Sequence, residues 1–330
     1  MRKCLLFCLF LFFSLHAFPQ EFKDTITEKK VLEIISFLAS DSLKGRGNYT
    51  PELYKAADFI VAKFTDCKLT SLPGRASYFR PFTSQSLLKK QRNPDSSGKY
   101  DPRYVLQNVI GILTGKTHPS EIIIFSAHYD HLGVGKPDEN NDSIFNGAND
   151  NASGTTALLM LADYFSKRND NNRTLIFCAF AGEELGESGS FLFADYLKPG
   201  HIKAVINIEM IGHTTIPGKA AVFITGASYS NFSKIFKKNI DKESLKVVDE
   251  PPAEEQLFLR SDNYPFALKG IPAHTIMSSD DADECYHKPC DELSRIDIGN
   301  MTVIIKEIAR GCSSIIAGRD TPSRIDVSNK

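Results

Sequence analysis

The chain has no excess of either charge. Its 39 Lys and Arg nearly cancel its 40 Asp and Glu, leaving a formal net charge of −1 over 330 residues. No basic surplus is available for a nucleic-acid backbone, and no block of like charge forms an interaction tail. Past the first 20 residues no apolar run approaches the ~20 residues of a helical bilayer span. Internal repeats and low-complexity linkers are also missing. With 42% hydrophobic residues, one large domain is the simpler reading.

What is present begins with MRKCLLFCLFLFFSLHAFPQ. A basic start, an apolar stretch and a small residue at Ala17 read as a secretory signal over residues 1–20. Cys4 and Cys8 fall inside it, and neither follows the apolar run as a lipoprotein cysteine would. The expectation is an exported, periplasmic or extracellular protein with no stable membrane insertion once the signal is removed. Export permits disulfides. Cys285 and Cys290 flank a Pro-containing loop and are the expected pair, while Cys178 and Cys312 read as buried thiols.

Residues 28–41, EKKVLEIISFLASD, read as a helix, with Val31, Ile34, Ile35 and Leu38 repeating on one face. Thr50 and Pro51 open a second helix as N-cap and first residue. Residues 84–101 read as an irregular connection. QNVIGIL and EIIIFSA then read as a β-hairpin with a long loop. Beyond it, apolar strands alternate with helices: TLIFCAFA, AVINIEM, AAVFITG and IPAHTIM are the strands. That pattern predicts an α/β fold, a three-layer sandwich whose mostly parallel central sheet is covered by helices on both faces. Residues 21–330 would form one domain, with residues 21–100 as a helical segment packed on it.

Several of these elements end in groups that bind metals. His128 follows EIIIFSA directly, Glu183 and Glu184 follow TLIFCAFA, and Glu209 lies near the end of AVINIEM. Ligands in open α/β sheets bind at the carboxyl ends of strands. Asp150, in GANDNASG, stands at the mouth of a helix, and His287 lies in CYHKPC. Glu209 sits in an apolar run, where an unpaired carboxylate is costly. Glu183 and Glu184 are adjacent like charges that oppose joint ionisation unless a cation is near. Nitrogen and carboxylate donors without thiolate suit a hydrolytic zinc site. Asp130 suits the carboxylate that orients a ligating His128. His131 lacks such support and reads as a loop residue. Asp280, Asp281, Asp283 and Glu284 read as a solvated loop.

Taken together, SAHYDH, GANDNASG, AGEE, INIEM and CYHKPC resemble the motifs of the secreted di-zinc aminopeptidases of metallopeptidase family 28, relatives of bacterial leucyl aminopeptidases. The lead-in FLASDSLKGRGNYTPELYKAADFI and the segment SDNYPF extend the resemblance over nearly everything past the signal. It implies a zinc-exopeptidase-like fold and two Zn2+ per chain. His128 and Glu209 would hold one ion and Glu184 and His287 the other, with Asp150 between them. Glu183 would be the general base, Asp130 would orient His128, and the Tyr286 hydroxyl would lie near the substrate carbonyl. The substrates implied are peptides with a free N-terminus.

The Cys285–Cys290 bridge and a cis bond after Asp150 also follow from the resemblance. Two positions depart from the common pattern: Glu209 stands where Asp is frequent, and Asn263 where His is frequent. Asn263 is therefore given no catalytic role. Glutaminyl cyclases share the fold, but they typically carry DGEE and bind one zinc. Non-catalytic proteins on this fold lose ligands, and none is lost here. An acidic-peptide carboxypeptidase would need extra domains that 330 residues leave little room for.

Overall fold

A computed structural model describes residues 25–83, 105–215, 220–251 and 256–327. The expected signal and the irregular connection expected at 84–101 lie outside the described residues. Among the described residues ten strands follow in chain order: β1 Phe79–Phe82, β2 Leu106–Leu113, β3 His118–His128, β4 Gly133–Val134, β5 Ile144–Phe145, β6 Arg173–Phe180, β7 Ile202–Ile208, β8 Ala221–Ile224, β9 Lys246–Val247 and β10 Ala273–Met277. Eight of them make one sheet in the order β1-β2-β6-β3-β7-β10-β8-β9, and β4 and β5 pair separately. The centre, β6-β3-β7-β10, is parallel throughout. β2 lies antiparallel to β6, and β8 antiparallel to β10.

The expected hairpin is absent. β6 stands between β2 and β3 and pairs with both. A parallel partner from about 50 residues downstream takes the place that local proximity suggested.

The helices are α1 Glu28–Leu38, α2 Pro51–Asp66, α3 Gly154–Arg168, α4 Ser188–Tyr196, α5 Phe232–Asn239, α6 Tyr264–Ala267, α7 Ile298–Gly311 and α8 Ser313–Ile316. Thr27 and Thr50 cap α1 and α2 through their side-chain oxygens, and Pro51 opens α2 where its missing N–H costs nothing. β6 is buried at every position, so its alternation divides two cores. Leu175, Phe177 and Ala179 join the core under α1, α2, α3, α5 and α7. Ile176, Cys178 and Phe180 join the other, under α4 and α6. The helices thus cover both faces of a mostly parallel sheet. Cys178 and Cys312 are buried free thiols, and Cys285–Cys290 is a disulfide.

Candidate metal centre

The parallel strands present their carboxyl ends side by side. His128 ends β3 and lies opposite Phe180, the last residue of β6. Glu183 and Glu184 follow Phe180 after a turn through Gly182, whose φ of +74° belongs to the left-handed region that glycine favours. Glu209 follows β7 directly. Asp150 comes from the segment that leads into α3, and its peptide bond to Asn151 is cis. His287 arrives from the disulfide-closed loop after β10.

These side chains converge on Asp150. His128 Nε2 lies 3.3 Å from Asp150 Oδ1, and His287 Nε2 lies 3.2 Å from Asp150 Oδ2 and 3.5 Å from Glu184 Oε2. Glu209 is buried and accepts a hydrogen bond from the Ser261 hydroxyl. Asn207 Nδ2 stands 3.4 Å from the same carboxylate.

Two features fit this set to metal. The buried His128 Nε2 has no hydrogen-bond partner, although carboxylates surround it. All donors are imidazole nitrogens and carboxylate oxygens, the ligands zinc takes in hydrolytic sites.

The electrostatics make the same demand. Burial opposes charge on His128, but Glu183, Asp150 and Glu209 outweigh it and hold the imidazole well above its usual pKa. Burial opposes ionisation of Asp150 and Glu184 too. His131, His128 and His287 nevertheless hold Asp150 well below the carboxylate range. His131 and His287 hold Glu184 at about 2. Glu183 is pushed well up by burial and by Glu209, against the pull of His128. Burial and Asp150 push Glu209 up to about 7. The cluster has more carboxylates than positive charge to balance them.

Asp130 acts differently from the expected histidine partner. Its carboxylate is 3.9 Å from His128 Nδ1, beyond hydrogen-bonding distance. The imidazole instead lies 3.2 Å from the Asp130 backbone oxygen. The Asp130 carboxylate accepts the backbone N–H groups of Glu183 and Glu184 at 3.2 and 3.3 Å and the Asn48 amide at 2.7 Å. It therefore fixes the acidic turn rather than the ring.

His131, expected as a loop residue without a role at the site, faces the centre. Its side chain is wholly buried, and Nδ1 donates to Glu184 Oε1 at 2.8 Å. His131, Asp150 and Glu184 each bring one donor atom within 4.8 Å of the others. No local pattern marks this role, because Glu184 is 53 residues away. Asp280 and Asp283 are buried as well. Asp283 accepts from His213 at 2.7 Å and from the Asn149 amide at 3.2 Å, so part of the expected solvated loop props the site. Asn263 is a structural residue, bonded to the Phe258 carbonyl and the Thr275 hydroxyl.

Two buried charges hold the segment that carries Asp150. Arg46, fully buried, donates Nε to the Tyr129 carbonyl at 2.8 Å and Nη1 to those of Leu38 and Asn146, each at 2.6 Å. Its Nη2 reaches the Gly147 carbonyl at 2.9 Å. Asp291 accepts the N–H groups of Asn149 at 2.7 Å and Asp150 at 3.0 Å. Gly147 has φ +58°, and a Cβ there would strike the Asp150 carbonyl and the His131 ring.

Tyr286 stacks on His287 with ring centroids 3.9 Å apart. Burial and the nearby Asp150 push its phenol pKa well up, so the hydroxyl keeps its proton and can donate.

The family model described as "Peptidase family M28" matches residues 108–310. Aminopeptidase YwaD of Bacillus subtilis (strain 168) is 28% identical over 209 residues, a match covering 58% of this chain and 40% of the relative. The chain thus spans about two fifths of that relative's length. Among solved structures, an aminopeptidase from Aneurinibacillus sp. strain AM-1 aligns with a TM-score of 0.63 at 16% identity, covering 92% of this chain and 97% of the other. Porphyromonas gingivalis glutaminyl cyclase aligns with a TM-score of 0.66 at 17% identity, covering 89% and 100%. At such identities the structural likeness shows the fold alone. The family match covers 203 of the 330 residues and all the converging side chains from His128 to His287: the chain belongs to peptidase family M28.

Proposed function

We propose that the chain is a zinc-dependent aminopeptidase that removes N-terminal residues from peptides. The observation that carries the reading is the convergence of His128, His287 and Glu184 on Asp150, with Glu183 beside them and no thiolate among the donors. Relatives whose names give aminopeptidase and zinc metalloprotease activity support it. His128 and Glu209 would hold one zinc, Glu184 and His287 a second, with Asp150 shared. When bound, zinc polarises a carbonyl and lowers the pKa of water.

The chain's own groups do the rest. Glu183, beside His128 and Glu209, takes the proton of the attacking water and passes it to the leaving amine. Asp130 holds the Glu183–Glu184 turn through its two backbone N–H groups. The Tyr286 phenol donates to the oxygen that gains charge. The carboxylates around the centre attract a free α-ammonium, which favours terminal over internal bonds. Residues 21–330 act as one metallopeptidase domain, and the apolar N-terminus directs export.

Glu183→Gln tests the reading. It is expected to retain two zinc ions per chain while kcat on aminoacyl chromogens falls by roughly 10²–10⁴-fold. Turnover at the parental rate would remove Glu183 from its role. Cyclisation of glutaminyl peptides without hydrolysis would overturn the peptidase reading itself.

A further inference from the structure

Asp150, Glu209 and His287 come from three segments far apart in the chain, and the side chain of Asn149 joins all three. Its Oδ1 accepts the backbone N–H groups of Gly212 and His213, at 3.0 and 3.2 Å, in the segment that carries Glu209. Its Nδ2 donates to Ser279 Oγ at 2.8 Å and to Asp283 Oδ2 at 3.2 Å, in the segment that carries His287. A side-chain amide has two N–H donors and two lone pairs on its oxygen, and here all four are used. Asp283 Oδ2 also accepts from His213 Nδ1 at 2.7 Å, and its Oδ1 accepts the Cys285 N–H at 3.0 Å. We propose that Asn149 and Asp283 are positioning residues whose amide–carboxylate bond sets the His287 loop against Asp150 and thereby governs the affinity of the metal position built from Glu184 and His287. The assignment rests on the metal-centre reading above and is independent of the reaction.

One residue holds the loop at both ends. His287 lies four residues after Asp283 and four before Asp291. Asp283 takes the Asn149 side-chain amide, and Asp291 takes the Asn149 backbone N–H at 2.7 Å. Between the two acids, the Tyr286 N–H returns to the Asp283 carbonyl at 2.9 Å, and the Cys285–Cys290 disulfide closes the loop. The His287 side chain is 36% exposed and stacks on Tyr286 of the same loop, so its direction toward Asp150 follows the loop's anchors. Glu209 depends less on Asn149. Asn151 Nδ2 donates to the Ile208 carbonyl at 3.0 Å and its Oδ1 accepts the Met210 N–H at 3.3 Å, which pins the chain on either side of Glu209.

The polarity of the bond makes it separable from packing. Asn149→Asp keeps an oxygen for the Gly212 and His213 N–H groups but sets a second carboxylate against Asp283 where a donor stood, and like charges that close repel. Asp283→Asn sets an amide against the Asn149 amide and removes the acceptor. Each change alters almost no volume. Combined, they exchange amide and carboxylate across the same gap, so that a donor again faces an acceptor. His213 follows by changing tautomer, since a neutral imidazole offers either nitrogen as donor or acceptor.

The test uses the full chain and zinc alone. Stepwise zinc affinities are measured by chelator competition, above neutral pH, for the parent, the two single variants and the double variant. His287→Ala marks which step belongs to the Glu184–His287 position. Each single variant is expected to weaken that step by about 10–100-fold, the usual cost of losing a ligand's supporting partner, and to leave the other step unchanged. The double variant should recover most of the loss. Equal weakening of both steps, loss in the other step alone, no loss, or a double variant no better than the singles would overturn the proposal. If Asn149→Asp does not fold, Asp283→Asn and the double variant carry the same comparison. A parent that binds two zinc ions but cleaves no aminoacyl chromogen loses the peptidase reading and leaves the positioning pair standing. In a parent that binds one zinc, the two-metal reading falls and the exchange decides on that ion: loss and recovery keep the pair, and unchanged affinity removes it.

Discussion

Replacing Arg46 by lysine keeps the buried positive charge and removes the geometry that uses it. The guanidinium reaches four carbonyls, of Leu38, Tyr129, Asn146 and Gly147, from three nitrogens. Burial lowers its pKa, but the carboxylates of Asp291 and Asp150 oppose that and leave it at about 10. It is therefore charged at neutral pH. A lysine ammonium is a single point. Placed near the Nη1 position, it can serve the Leu38 and Asn146 carbonyls, but it leaves those of Tyr129 and Gly147 unpaired. A buried, unsatisfied acceptor costs about 1–3 kcal/mol, so Arg46→Lys should lose about 2–6 kcal/mol. That is a large part of the 5–15 kcal/mol typical of a folded domain. The assay is urea unfolding in the presence of chelator, which isolates the protein's own stability from metal linkage. Zinc affinity, measured by chelator competition, should fall as well, because the two abandoned carbonyls belong to Tyr129, next to the proposed ligand His128, and to Gly147, in the segment that leads to the proposed ligand Asp150. A lysine variant within 0.5 kcal/mol of the parent, with unchanged zinc affinity, would refute the claim that Arg46 holds these loops. Arg46→Ala is a poorer test, since removing a fully buried charge can abolish folding outright.

His131→Phe removes the donor to Glu184 Oε1 and should lower zinc affinity about 10–100-fold, as loss of a ligand's supporting partner commonly does. Affinity equal to the parent's would reduce His131 to packing. Glu187 is a half-buried carboxylic acid whose buried Oε2 has no hydrogen-bond partner. Burial, with Asp262 and Glu209, pushes its pKa up to about 9. The folded state therefore keeps its proton where the unfolded chain has lost it, and stability falls as pH rises from about 4.5 to 9. Glu187→Gln escapes that loss and should gain on the order of 3 kcal/mol at pH 7 and nothing below pH 4.5; a gain independent of pH would contradict the burial argument.

The strands and most of the candidate site were legible in the sequence because both are written in contiguous residues. A run such as TLIFCAFA is apolar at every position because both of its faces are buried, and the groups after it stand at the strand's carboxyl end whatever the sheet order. The sheet order itself is not local. QNVIGIL and EIIIFSA are neighbours in the chain, yet β6 enters between them, since their pattern does not encode which apolar strand each accepts. The same limit hid His131 and Asp283. His131 owes its role to Glu184, 53 residues away, and Asp283 to His213 and Asn149, 70 and 134 residues away. Arg46 was hidden for a different reason: its acceptors are backbone carbonyls, which no sequence motif marks.

Arg46 and Asp291 together explain how an acidic segment stays fixed among other carboxylates. Residues 146–150 run between them, with the carbonyls of Asn146 and Gly147 on the guanidinium and the amides of Asn149 and Asp150 on the carboxylate. Backbone dipoles gripped at both ends by opposite charges cannot rotate to relieve the repulsion between Asp150, Glu184 and Glu209. Asp150 is thereby held facing His128 and His287 through its peptide chain rather than through its own side chain, whose oxygens stay directed at the imidazoles. A carboxylate immobilised in this way need not reorganise when a cation arrives, and that pre-organisation suits the shared-ligand role proposed for Asp150.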